Sequence, residues 1–296
     1  MDYKLYQVDV FTGQALCGNP LAVFPESSGL ETETMQKIAR EMNLSETTFV
    51  FPSADGEADF DVRIFTPGKE IPFGGHPTLG TAFVLRHCGL ASMDQEILRL
   101  RMPVGVIPVR VDDGGRQLSF TQPTPEFSGH YQDFDKLAQA LSIDSDSIDK
   151  RWPVEVVSTG FPALFVPLAS LPTIQSIQLN LGKLRQILDE MKVDMLYAFT
   201  LQTLDENATL HSRAFAPFIG ITEDPATGSA AGAIGGYLAK NKVIHEDKFG
   251  EIKIEQGFEI DRPSQIYVQV SYREGEIQSI QVGGETCLIL EGVLKI

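Results

Sequence analysis

Along residues 4–11 apolar and polar side chains alternate, the period of a strand with one buried face. An apolar run at 21–24 predicts a second strand, reached through a Gly18-Asn19-Pro20 turn. The period then changes: Met35, Ile38, Ala39 and Met42 fall on one face of a helix predicted over 32–42. The β-branched and aromatic run 47–51 predicts a strand, and 59–65 another. Nearly every residue of 77–85 is small or apolar, which predicts a helix buried on all sides. Short strands over 98–100, 104–111 and 117–121 complete the first half, and 122–129 ("QPTPEFSG") reads as a linker. Strands and helices are mixed without strict βαβ alternation, so the pattern predicts an α+β build rather than a doubly wound sheet.

The second half repeats this order, with its buried helix over 229–238. "IAREMNLSETTFVFP" at 38–52 returns as "ILDEMKVDMLYAFTL" 149 positions later, and "RIFTP" at 63–67 returns as "RAFAP" 150 positions later. "FGGHPTLGTAFVL" returns as "ATGSAAGAIGGYL" when Gly75 is laid on Gly228, and Thr12-Gly13 matches Thr159-Gly160. The order never changes, so the chain reads as one duplicated unit making two domains. Two related halves naturally frame a cleft where a ligand sits. Asymmetric chemistry is then expected at positions where the halves differ.

Composition narrows the function classes. At 296 residues the chain exceeds one ordinary core, and 43% hydrophobic with 22% charged residues is usual for a globular protein. A formal charge of −16 argues against nucleic acid or an anionic membrane as partner. No apolar run approaches the length of a membrane span, and the opening "MDYKLYQVDVFTG" reads as a strand rather than a signal peptide. Cys17, Cys88 and Cys287 give no disulfide framework and no zinc spacing, which fits a reducing, cytoplasmic setting.

Two helix starts carry the best chemical signals. Gly74-Gly75-His76-Pro77 and Asp224-Pro225-Ala226-Thr227-Gly228-Ser229 each put glycine before a buried helix. Bare N–H groups and the helix dipole there suit an anion such as a carboxylate; close packing of the helices accounts for the glycines equally well. Neither is a nucleotide-binding loop. Glu46 is the leading acid/base candidate, because its repeat mate is Met195 and a carboxylate entering a cleft from a strand end can be desolvated. It is also one of 40 acidic residues and can be merely solvated or capping. His76 and Asp224 likewise lack like-for-like mates; they suit a neutral hydrogen-bonding imidazole and an orienting or amine-binding carboxylate, or a structural histidine and a turn. The remaining histidines show no metal spacing, and His211 reads as a plain strand residue. The aromatics, including Trp152, read as core.

Taken together, "VDVFT…GNPLAVF", "LSETTFV", "RIFTP…IPFGGHPTLGTA", "GITEDPATGSAAGA" and "VGGETCLILEG" resemble the phenazine biosynthesis PhzF-like family, over essentially the whole chain. The resemblance implies the diaminopimelate epimerase-like fold: two pseudo-twofold domains, each a curved mixed sheet or barrel around a central helix. It sets the domains at 1–122, with 282–296 returning to it as a last strand, and 123–281. It implies a cofactor-independent isomerase that moves a proton between carbons of a substrate like trans-2,3-dihydro-3-hydroxyanthranilate. Glu46 would be catalytic, Ser45, Gly75, His76, Asp224, Gly228 and Ser229 would bind substrate, and no metal would take part. A small carboxylated metabolite and a second copy in a homodimer are the implied partners. Racemases of the superfamily use a thiol at each helix start, where this chain has Gly74 and Thr227. An epimerase or racemase on another small acid, and a non-catalytic binding or scaffold protein, stay open as alternatives.

Overall fold

Each half of the chain wraps strands around one helix buried on all sides. The structure, a computed structural model, describes residues 2–54, 56–112 and 115–296. It divides into two units: Met1–Thr121 with Gly283–Ile296, and Gln122–Val282.

The first unit runs β1 (Asp2–Val10), β2 (Asn19–Phe24), α1 (Thr32–Met42), β3 (Glu46–Pro52), β4 (Phe60–Phe65), β5 (Glu70–Ile71), α2 (Gly75–His87), β6 (Ile97–Met102), β7 (Gly105–Val111) and β8 (Gln117–Gln122). The second runs β9 (Glu126–His130), α3 (Phe134–Leu141), β10 (Glu155–Ser158), β11 (Pro162–Pro167), α4 (Leu171–Gln175), α5 (Leu181–Met191), β12 (Met195–Thr200), β13 (Leu210–Ala216), β14 (Ile221–Asp224), α6 (Gly228–Lys240), β15 (Ile252–Gln256) and β16 (Ser264–Arg273). Glu274-Gly275, both at positive φ as a two-residue hairpin turn requires, leads into β17 (Glu276–Lys295).

The sense of strand pairing recurs. In the first unit β1 is antiparallel to β2, β2 parallel to β3, β3 antiparallel to β4, β4 parallel to β6, and β6 antiparallel to β7. In the second the same sequence of senses links β10, β11, β12, β13, β15 and β16. Both β1 and β8 pair with β17, which closes the first unit's mixed sheet into a barrel.

α2 lies inside that barrel against β1, β2, β3, β6 and β7. It approaches so closely that a β-carbon at Gly80 would stand 2.6 Å from Leu21 Cδ2 and 2.9 Å from Val10 Cγ2. α1 instead covers the outside, burying Met35, Ile38 and Ala39 over the stacked rings of Phe24 and Phe49. α3 and α5 do the same for the second unit through Leu137, Leu141, Leu184 and Leu188. The repeated arginine proves structural: Arg63 grips Glu70 with two forked hydrogen bonds of 2.7 and 2.6 Å, and Arg213 grips Glu223 at 2.8 and 2.7 Å.

Three local expectations need correction. Residues 122–129 are not a plain linker, because Glu126–His130 is β9, paired with β10. Asn19 and Pro20 belong to β2 rather than to a turn, since both pair with β1. Trp152 is only half-buried, with the Arg151 guanidinium 4.4 Å over its ring.

Candidate active site

Glu46 is the first residue of β3, and Ser45 is the half-buried bend before it. β3 is a central strand, bonded to β2 and β4, so Glu46 stands on a rigid support. Gly75 and His76 open α2, whose N-cap residue Gly74 is extended and provides no side-chain cap. Thr81 Oγ1 of α2 donates to Thr48 Oγ1 of β3 at 2.9 Å inside the core, tying helix to strand.

This tie brings Glu46 and His76 together: His76 Nε2 lies 3.2 Å from Glu46 Oε2, and their side chains are 7% and 12% exposed. The contact is not a hydrogen bond, and His76 Nε2 has no hydrogen-bond partner. Burial pushes the imidazole down to about 3, so it is neutral at pH 7. The dipole of α2 acts in the same direction. A neutral histidine beside a nearly buried carboxyl group forms a pair that can exchange a proton with a third, incoming group.

The second unit assembles Asp224, Gly228 and Ser229. Asp224 ends β14, Gly228 is the first residue of α6, and Ser229 follows, half-buried. Thr227 Oγ1 donates to Asp224 Oδ2 at 2.5 Å and does not cap the helix. The carbonyls beside the helix start are held from behind: Gln122 Nε2 donates to Gly228 O at 2.8 Å, and Thr159 Oγ1 lies 2.9 Å from Ser229 O. A β-carbon at Gly232 would collide with Gln122 Oε1, so the glycine makes room for that strut.

Sequence reasoning missed several groups. Gln256 bonds the Asp224–Thr227 turn three times. His211 is no plain strand residue: it is fully buried, with Nδ1 2.9 Å from Glu255 Oε2 and Nε2 2.9 Å from Glu259 Oε1. Burial alone would lower its pKa, but the two carboxylates overcome this and raise it to about 9. The repeat carried a signal. In parallel register Asp61 faces Arg101 across β4 and β6, and His211 faces Glu255 across β13 and β15 with the charges exchanged. Among the described residues no group of three or more His, Cys, Asp or Glu is disposed to hold a metal ion.

The family model for phenazine biosynthesis-like proteins matches residues 8–292. The trans-2,3-dihydro-3-hydroxyanthranilate isomerase of Pseudomonas aeruginosa is 36% identical over 98% of each chain. The crystal structure of a Bacillus anthracis phenazine biosynthesis protein of the PhzF family superposes with a TM-score of 0.90 at 28% identity, covering all of both chains. A probable proline racemase from Agrobacterium radiobacter shares the fold at 11% identity and a TM-score of 0.65, over 99% of this chain and 92% of its own. No helix among the described residues is long and apolar enough to cross a membrane.

Proposed function

The chain belongs to the phenazine biosynthesis-like family and is an isomerase, and from that premise we propose that it moves a proton between carbons of a small, cyclic, carboxylated substrate like trans-2,3-dihydro-3-hydroxyanthranilate. The observation that carries the reading is the Glu46–His76 pair, two nearly buried groups in contact on a strand end and a helix start.

In this reading Glu46, as carboxylate, takes a proton from an allylic carbon. The C–H electron pair shifts into the conjugated system of the substrate, and the resulting carboxylic acid returns the proton to another carbon. Glu46 ends as it began, and the electron pair never leaves the substrate, so the cycle calls for no cofactor. Neutral His76 accepts or donates one hydrogen bond as charge moves. Beside Glu46, Ser45 and Gly75 bind the substrate's polar groups, and the uncapped start of α2 suits a carboxylate. Taken by itself, the second unit offers Asp224, Gly228 and Ser229 as substrate-binding groups at the equally uncapped start of α6.

The two-thiol racemase alternative has little support. Gly74 and Thr227 stand at the helix starts, and Cys88 lies at the opposite end of α2. Cys287 faces Asp9 across the β1–β17 pair.

Incubation with trans-2,3-dihydro-3-hydroxyanthranilate in D₂O tests the proposal. Deuterium uptake with an ultraviolet change in the wild type, absent in Glu46→Gln, supports it. An active Glu46→Gln variant removes the assignment of the base. Binding without exchange points to the non-catalytic alternative, and exchange at Cα of amino or hydroxy acids points to an epimerase.

A further inference from the structure

Gln256 is fully buried at the end of β15 and spends its whole carboxamide on one turn. Nε2 donates to Asp224 O at 2.7 Å and to Thr227 Oγ1 at 2.9 Å, while Oε1 accepts the Thr227 N–H at 3.2 Å. The opposite amide orientation would set a carbonyl oxygen against the Asp224 carbonyl, so the network fixes which end donates.

A direction of proton donation follows. Thr227 Oγ1 already accepts from Gln256, so its only hydrogen points to Asp224 Oδ2, 2.5 Å away. That short distance is typical of a hydroxyl donating to a carboxylate. Asp224 is thereby held as an acceptor in one orientation, at 8% exposure. Gly257, next in the chain, lets β15 press in: its φ is +81°, and a β-carbon there would stand 2.6 Å from Pro225 O.

The arrangement is confined to the second unit. By strand register Gln256 corresponds to Met102, as Glu255 corresponds to Arg101. Met102 has only a thioether, which accepts weakly from Thr78 Oγ1 at 3.7 Å.

We propose that Gln256 is a positioning residue that fixes the orientation of Asp224 through Thr227, and so sets the affinity for the substrate group that Asp224 binds. This rests on the reading of Asp224 as a substrate-binding residue. Gln256 touches no substrate itself.

The test uses the full chain with Gln256→Leu, Gln256→Glu, Thr227→Val and the Gln256→Leu/Thr227→Val double variant. Gln256→Glu keeps the acceptor for Thr227 N–H and loses both donors. With trans-2,3-dihydro-3-hydroxyanthranilate as probe, each single variant raises KM by about tenfold, the loss expected for one charge-assisted hydrogen bond, and the double variant raises it no further. kcat stays within about threefold, because Glu46 is untouched. A merely structural Gln256 would lower the folded fraction, reducing the apparent kcat at constant KM; that result overturns the proposal. Nuclear magnetic resonance separates this from failure of the functional reading. If the wild type does not turn the probe over, the Asp224 side-chain carbon signal still moves in Gln256→Leu and Thr227→Val and no further in the double variant. A signal that stays in place in Gln256→Leu overturns the relay whatever the substrate.

Discussion

His76 Nε2 sits 3.2 Å from Glu46 Oε2, but the geometry does not amount to a hydrogen bond. A well-made His–Glu bond would hold the proton between the two groups. The contact observed keeps the two groups adjacent while leaving His76 Nε2 without a hydrogen-bond partner. Catalytic pairs are often loose before substrate tightens them.

Glu46→Gln is expected to lower kcat by about 10²–10⁴-fold, the usual range for a lost acid/base group. The same variant should keep its fold and unfold at a similar temperature, since it preserves the shape of the side chain. Proton exchange in D₂O and thermal denaturation measure the two effects. A variant that loses activity only because it unfolds would contradict the assignment.

His76 gives the protein an acid-side liability. Its folded pKa of about 3 lies below the unfolded value near 6.5, so between those limits the unfolded chain binds a proton that the native one refuses. Stability therefore falls as pH drops below 6.5. From pH 7 to pH 5 the wild type should lose about 2 kcal/mol more than His76→Gln. Urea denaturation of both proteins at the two pH values checks the sign and the size.

His211 works in the opposite direction. Its folded pKa, about 9, lies above the unfolded value, so its stabilisation is complete below pH 6.5 and fades as pH rises through 9. Between pH 7 and pH 9 the wild type should lose about 2 kcal/mol from this group. His211→Gln should remove that slope and, at pH 7, cost about 3–5 kcal/mol by leaving Glu255 and Glu259 buried without their cation. Equal alkaline slopes in the two proteins would exclude a charged His211.

Gly232→Ala is expected to destabilise the protein by about 1–3 kcal/mol, because its β-carbon displaces Gln122 Oε1. The displaced amide also releases Gly228 O, so KM should rise along with the loss of stability. Ala231→Gly, next to it on α6, should cost only about 1 kcal/mol and leave KM unchanged.

Local periodicity carried much of the fold. The helix predicted over 32–42 coincides with α1, because one apolar stripe meets an otherwise polar surface there. The buried helices were read late by one or two residues, since glycine at a helix start carries no hydrophobic signal. β9 escaped notice for a related reason. Its side chains are mostly exposed and the residues before it include Pro123 and Pro125, so only its pairing with β10 makes it a strand.

The candidate carboxylate stands out where the repeat breaks. Met195 holds the first position of β12 as Glu46 holds that of β3, so one substitution at equivalent sites marked the carboxylate. Gln256 was illegible, and for the His211 cluster the repeat offered only charged residues at equivalent positions, not the pairing itself. Their partners lie 29 to 48 positions away in sequence, and no local spacing encodes contacts made between separate elements.

The pairing of β1 with β17 also constrains how the protein is made. Residues 2–10 leave the ribosome early, but the strand that covers their edge, with register partners from Thr286 to Lys295, follows only after the whole second unit has been synthesised. The second unit is continuous in sequence, so none of its strands waits for a distant segment of the chain. The first must keep β1 with an open edge until β17 arrives, so its early residues are exposed to mispairing throughout elongation. A released chain ending before Gly283 would lack every register partner of β1 on β17 and leave that edge unpaired.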